Sequence, residues 1–258
     1  MAIVETEAVI LKSYPFGDSS KIAKCYTKDY GKISIIAKGI RKKKLLQCSY
    51  LEPFSYINLH LYRNPKRELQ IFGKAEFIRL WRGLKSDIKK LSYAYAIGEL
   101  IDKTITGEKE QQEIFHLLVD VLNAVNDSQT NINVFFWYFE IQLLSMLGFR
   151  PQLTQCPNCH KKLTACVFSE TNGELQCDNC FFKIVSESTT LNNSLKIDSS
   201  SIVSLKRLST CEIDQLSELN GIVKNRKQVG RFLDNYYKYH FEGLREIKSL
   251  SVMKKILT

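Results

Sequence analysis

The sequence predicts an α+β chain with several parts: a small five-stranded barrel, an α-helical domain, and a four-cysteine segment between helices. Three observations carry this. Apolar residues alternate in short runs over residues 1–80, with turn-forming residues between the runs. Beyond residue 81 the apolar spacing changes to threes and fours, the period of a helix. Residues 156–180 then hold two Cys-x-x-Cys pairs.

The first runs are Thr6 to Tyr14, Lys21 to Thr27 and Lys32 to Lys38. They are separated by Pro15-Phe16-Gly17-Asp18-Ser19-Ser20 and by Lys28-Asp29-Tyr30-Gly31, which is turn chemistry. Ser55 to Tyr62 puts Ile57, Leu59 and Leu61 on one face and Tyr56, Asn58, His60 and Tyr62 on the other. The turn at Arg63-Asn64-Pro65-Lys66 leads into Glu68 to Phe77 and closes a hairpin. Five short strands in so few residues suit a closed barrel, and an OB-fold is the natural candidate.

Helical spacing follows at Leu84, Ile88, Leu91 and Tyr95, and again at Ile114, Leu118, Val121 and Val125. A third helix is predicted from Val134 to Leu147, with Gly148 and Pro151 as its stop. Its aromatic run, Phe135 to Phe139, reads as bundle core. Ser186 to Ser201 reads as a linker or loop. Further helices are expected around Ile202, Leu205 and Leu208, then Ile213, Leu216 and Leu219, and finally from Asn225 to Leu244. The expected division is a barrel at 1–80, a helical domain at 81–150 and 186–258, and a cysteine segment at 151–185.

Cys156, Cys159, Cys177 and Cys180 have the spacing of a structural zinc site. Each pair folds into a knuckle with two sulfurs aimed at one centre, and two knuckles complete a tetrahedron. Four cysteine ligands leave no open position for water, so the expected zinc ion braces the fold and does no catalysis. Cys166 falls outside the spacing. Cys25, Cys48 and Cys211 read as small buried hydrophobes.

The net charge of +10 is unevenly spread. Residues 1–80 hold 15 Lys/Arg against 7 Asp/Glu, whereas residues 81–150 hold 7 against 9. A concentrated positive field attracts a polyanion, and nucleic acid is the usual one. The richest stretch is Lys38-Gly39-Ile40-Arg41-Lys42-Lys43-Lys44, directly after the third strand. Arg63, Lys66 and Arg67 are expected to join the same surface. Tyr56, His60 and Tyr62 are possible stacking surfaces for bases. The plainer reading of the basic stretch is a solvated charged loop.

Apolar runs reach only about six residues, far below the ~20 a membrane span needs. Met1 to Lys12 carries Glu5 and Glu7 and lacks the layout of a secretory signal. A cytoplasmic, nucleoid-associated protein with no membrane partner is expected. No phosphate-binding loop, dinucleotide fingerprint, His-Glu-x-x-His or Gly-x-Ser-x-Gly occurs, and the four histidines are dispersed, so nothing supports an enzyme.

Three stretches carry a resemblance: Gly31-Lys32-Ile33-Ser34-Ile35-Ile36-Ala37-Lys38-Gly39; Gly148-Phe149-Arg150-Pro151-Gln152-Leu153 running into Cys156; and Arg245-Glu246-Ile247-Lys248-Ser249-Leu250. In this order they resemble the bacterial DNA-repair family RecO over essentially the whole chain. The resemblance implies an N-terminal OB-fold, a helical domain and a zinc finger inserted into it. It also implies a recombination mediator that binds single- and double-stranded DNA and anneals complementary strands. With the partner RecR, such a protein helps load the RecA recombinase on strands coated by single-strand-binding protein (SSB), whose acidic C-terminal tail it contacts. Some members lack zinc ligands, and all four are present here. Three readings compete: an RNA-binding barrel with a zinc ribbon, an interaction scaffold built on the helices, and a zinc-containing enzyme, against which four cysteine ligands argue.

Overall fold

The computed structural model describes residues 2–42, 45–107, 111–129, 132–187, 194–216, 223, 225–244, 247–249 and 251–252. Lys43, Lys44, Leu219, Arg245, Glu246, Leu250 and residues 188–193 of the Ser186–Ser201 stretch lie outside the described residues. The chain's contacts group into two units, Met1–Ser128 with Ile247–Thr258, and Gln129–Glu246.

The first unit opens with β1 (Ala2–Phe16), β2 (Ser20–Thr27) and β3 (Gly31–Ala37). A short turn of 3-10 helix at Ile40–Lys42 and α1 (Leu45–Ser49) follow, then β4 (Ser55–Arg63) and β5 (Leu69–Leu80). The strands close in the order β1-β2-β3-β5-β4, with β1 also pairing β4. Only β3 and β5 run parallel, with Ser34 opposite Leu69 and Ile36 opposite Ile71. This is the five-stranded barrel that the alternating runs predict. Every second side chain points inward, so Ile10, Ala23, Ile33, Ile35, Ile57, Leu59 and Leu61 fill the barrel, and Ile40 and Leu51 join the same core. Cys25 is fully buried, which pushes its thiol up to about 12, so it behaves as a small hydrophobe.

The same unit continues with α2 (Arg82–Ser86), α3 (Ile88–Thr104) and α4 (Gln112–Asp127). Asp87 caps α3 by accepting from the Lys89 and Lys90 amides. These helices cover part of the barrel's outer surface. Val9, Leu11 and Tyr26 face outward, yet all are buried. Lys24 and Lys32 reach out from β2 and β3 to Asp102 on α3, at 3.1 and 3.5 Å. Tyr56, expected on an open polar face, is also buried. It stacks on Trp81 at 5.7 Å, meets the edge of Phe115, and its hydroxyl donates to Glu7. Alternation placed Tyr56 outside the barrel correctly, but helices α2 to α4 make that outside a second core.

The second unit contains α5 (Asn133–Met146), β6 (Cys166–Ser169), β7 (Glu174–Gln176), α6 (Asp178–Glu187), β8 (Ser194–Ile197), α7 (Ser199–Thr210) and α8 (Arg226–His240). Helix α5 is apolar all round and nearly wholly buried, as its aromatic run predicts. It ends with the Phe149 amide donating back to the Leu144 carbonyl. The three short strands pair in the order β7-β6-β8. Part of the expected linker is therefore ordered: Leu195 and Ile197 alternate inward along β8, and Ser199–Ser201 already belong to α7. Asp198 caps that helix through the Ser201 amide at 2.7 Å. Phe168 on β6 packs edge-on against Phe232 of α8 at 5.5 Å and tilted against Tyr236 at 5.9 Å.

Candidate metal centre and nucleic-acid interface

The two Cys-x-x-Cys segments converge. The sulfurs of Cys156, Cys159, Cys177 and Cys180 all lie within 4.8 Å of one another. A tetrahedron with bonds of about 2.3 Å has edges of roughly 3.8 Å, and the Cys159–Cys177 pair stands at 3.6 Å. The first knuckle is shaped by the His160 amide donating to the Cys156 carbonyl, with His160 itself at a φ of 58°. The second opens α6, whose first residue is Asp178. Electrostatics around the sulfurs differ. Although burial works against it, amide donors from Cys177, Cys159 and Asn158 bring the Cys156 thiol down to about 6. Contacts with the Cys159 and Cys177 thiols hold the Cys180 thiol up, at about 12. Four crowded sulfurs cannot all ionise without a cation among them, which fits a metal ion held here. Cys166 stays outside the cluster, buried in β6, and burial first of all keeps its thiol high.

The barrel's cations divide into two classes. One class is paired: Lys21 with Glu52, Lys28 beside the end of β2 with Glu7, Lys24 and Lys32 with Asp102, and Arg79 with Asp127, whereas Lys12 and Lys74 on the strands are exposed with no acidic partner among the described residues. Lys38, Lys42, Lys66 and Arg67 are exposed and have no acidic partner among the described residues. Arg41 is exposed too, and its guanidinium donates to the Gly17 and Asp18 carbonyls, while its amide donates to Ser19. That fastens the basic stretch to the β1–β2 turn. Gly39, at a φ of +67° with open space around it, makes the bend that a bulkier residue would strain.

The expectation that Arg63, Lys66 and Arg67 join the Lys38–Lys42 surface is not met. The β4–β5 turn lies beside the β2–β3 turn, where the Arg63 guanidinium sits 4.5 Å over the Tyr30 ring. Leu69 stands opposite Ser34, so this turn is level with the start of β3, while Lys38 follows its end. At about 3.3 Å per residue, the length of β3 separates the two groups by roughly 20 Å. They are two rims joined by one strand. Gln70, 1% exposed, shapes the second rim by exchanging hydrogen bonds with Asn64 and donating to the Arg67 carbonyl.

Tyr14 and Phe16 escaped the sequence reading. Both are exposed near the tip of the β1–β2 hairpin, the turn that Arg41 grips. Their position next to the basic stretch becomes visible only once β1, β2 and the Lys38–Lys42 loop are brought together. His60, one of the suggested stacking residues, is partly buried with Nδ1 3.5 Å from Glu5, whereas Tyr62 is exposed.

Residues 1–81 match the family model described as Recombination protein O N terminal, and residues 85–251 match Recombination protein O C terminal. The chain belongs to the RecO family. The RecO junction between these matches falls where β5 gives way to α2. Proteins named DNA repair protein RecO resemble the chain over most of its length. One from Thermoanaerobacter sp. (strain X514) is 28% identical over 94% of each chain. One from Chlorobium phaeobacteroides is 23% identical over 99% of each chain. A third, from Dehalococcoides mccartyi, is 31% identical over 68% of this chain and 69% of its own. Among the described residues, no helix is long and apolar enough to cross a membrane.

Proposed function

We propose that this RecO chain is a DNA-binding recombination mediator in DNA repair, which binds single- and double-stranded DNA and anneals complementary strands. With RecR it helps load RecA onto strands coated by SSB, whose acidic tail it contacts. The observation that carries the reading is the pair of basic rims at the barrel's ends. Lys21, Lys24, Lys28 and Lys32 are paired with carboxylates, while exposed Lys38, Lys42, Lys66 and Arg67 at the rims are left for an outside anion. Arg41 and Arg63 frame the same two rims, and Lys43 and Lys44 extend the first in sequence. Such a grip acts on phosphates and reads no base edges. It lowers the repulsion between two strands and leaves their bases free to pair, and it needs no bond chemistry.

In this reading the barrel forms the DNA-binding domain at 1–80, the helices at 81–150 and 186–258 form the second domain, and 151–185 is a zinc finger. Zinc suits the cysteine set because thiolates bind it and four of them close its coordination shell. Cys156, Cys159, Cys177 and Cys180 would hold the ion, and its contribution is to the fold of β6, β7 and α6.

The test is annealing of SSB-coated complementary strands by the wild type and by Lys38→Ala/Lys42→Ala. Both side chains are exposed, so the fold is retained. Losing two phosphate contacts should weaken single-strand binding about tenfold at moderate salt and slow annealing in parallel. Unchanged binding and annealing would refute the rim assignment. Equal or better binding to RNA of matched sequence would favour an RNA-binding role.

A further inference from the structure

Within the second unit, the segment after α5 separates two grooves that share Arg150 and Gln152. One groove is cationic. It sets exposed Arg150 against Lys206 of α7 and Arg207 in the last turn of that helix, with the Thr154 and Thr210 side chains on its walls. None of these three cations has an acidic partner among the described residues, and the Lys206 ammonium donates to the Leu163 carbonyl at 3.2 Å. The other groove is aromatic. His240 lies 4.4 Å from the Tyr236 ring, 4.9 Å from Tyr239 and 5.1 Å from Phe149. Phe149 is 38% exposed and Tyr239 40% exposed.

Two contacts shape the aromatic groove. The Tyr239 ring is pressed onto the turn between β6 and β7. A Cβ on Gly173 would come within 2.2 Å of it, and Gly173 also needs its φ of +69°. In addition, the Nε2 atom of His240 is buried without a hydrogen-bond partner. The carboxylate of Glu174, also in this groove, is already engaged by the Asn172 and Gln176 amides at 3.1 Å each.

We infer that this strip is a second binding site for single-stranded nucleic acid, separate from the barrel rims. Backbone phosphates lie along Arg150, Lys206 and Arg207. A base from the same strand stacks against the exposed Tyr239 ring. The pairing of unneutralised cations with flat exposed rings, side by side, is what a single strand requires. An acidic peptide carrying an apolar residue is the competing occupant, and cross-linking separates the two. The inference deepens the proposed function, because annealing requires two strands held at once.

The experiment uses the full chain and a short single strand carrying 5-iodouracil, which cross-links to adjacent aromatic rings on illumination. The sites are mapped by mass spectrometry. Cross-links at Tyr239 are expected, and they should vanish in Arg150→Ala/Arg207→Ala, while those at Tyr14 or Phe16 of the barrel persist. The double variant should also reduce the magnitude of the salt slope of single-strand binding by about 1.4, roughly 0.7 for each lost phosphate contact. Cross-links confined to the barrel, with an unchanged salt slope, would overturn the second site and leave the barrel reading intact. Absence of cross-linking at both places, with no binding, would overturn both. An acidic peptide that binds in an Arg150-dependent manner, with no DNA cross-link in the strip, would assign it to a protein tail instead.

Discussion

Glu140 sits in α5 with 2% of its surface exposed, among the aromatic residues of that helix. Burial first, and the nearby Asp234 second, push its carboxyl well above the usual carboxylate range. The folded chain therefore keeps a proton that the unfolded chain loses above its ordinary value near 4.5. The sign follows. This stability is fully present below the unfolded value and is lost as pH rises through the folded one. Glu140→Gln removes the ionisation and keeps the shape. Its melting temperature should exceed the wild type's by a few degrees at about pH 8 and match it at about pH 5. Equal shifts at both pH values would contradict the argument. Single residues also show where sequence reading stops. Tyr56 and Arg63 were given the right strand and the right turn. Nothing in their neighbours in sequence announces Trp81 or Tyr30, the rings that occupy them.

Elements reveal themselves in sequence when they are long and periodic. All five barrel strands and helices α3, α4, α5, α7 and α8 lie close to their expected places, because each repeats its pattern over a full face. Strand β8 does not. It has four residues, only Leu195 and Ile197 turn inward, and it is surrounded by serine and asparagine, so composition masks it. Its pairing with β6 holds Asp198 at the start of α7, where Ser201, Asn225 and Ser200 hydrogen bonds bring its carboxyl down to about 2. Asp198→Ala should cost about 1 kcal/mol, measured by denaturant unfolding. Because the folded value lies below the ordinary 3.8, the stabilisation is present above about pH 4 and disappears as pH falls through 2. An Asp198→Ala deficit that persists undiminished near pH 2 would contradict it. The knuckles make a larger claim at this scale. Isolated zinc modules gain roughly 10–16 kcal/mol from their metal. Chelation or Cys177→Ser should therefore release a metal ion, measured by elemental analysis, and lower the melting temperature. Full retention of stability without metal would show that β6, β7 and α6 hold themselves.

At the scale of the molecule, the charge asymmetry was legible from composition, but its geometry was not. Counting placed eight excess positive charges in residues 1–80. It could not show that the parallel pairing of β3 with β5 sends two basic loops to opposite ends. If four rim cations each neutralise one phosphate, the logarithm of single-strand affinity should fall against the logarithm of salt with a slope of about −3. Fluorescence anisotropy across a salt series measures it, and a slope near zero would remove the electrostatic grip. The bridge from Lys24 and Lys32 to Asp102 has a practical corollary for such assays. Cutting the chain after β5 would strip Asp102 away, uncovering Tyr26 and Val9 and setting two more ammonium groups loose. An excised barrel would be stickier and more cationic than the same barrel in place. Its affinity for DNA would overstate what the whole protein offers.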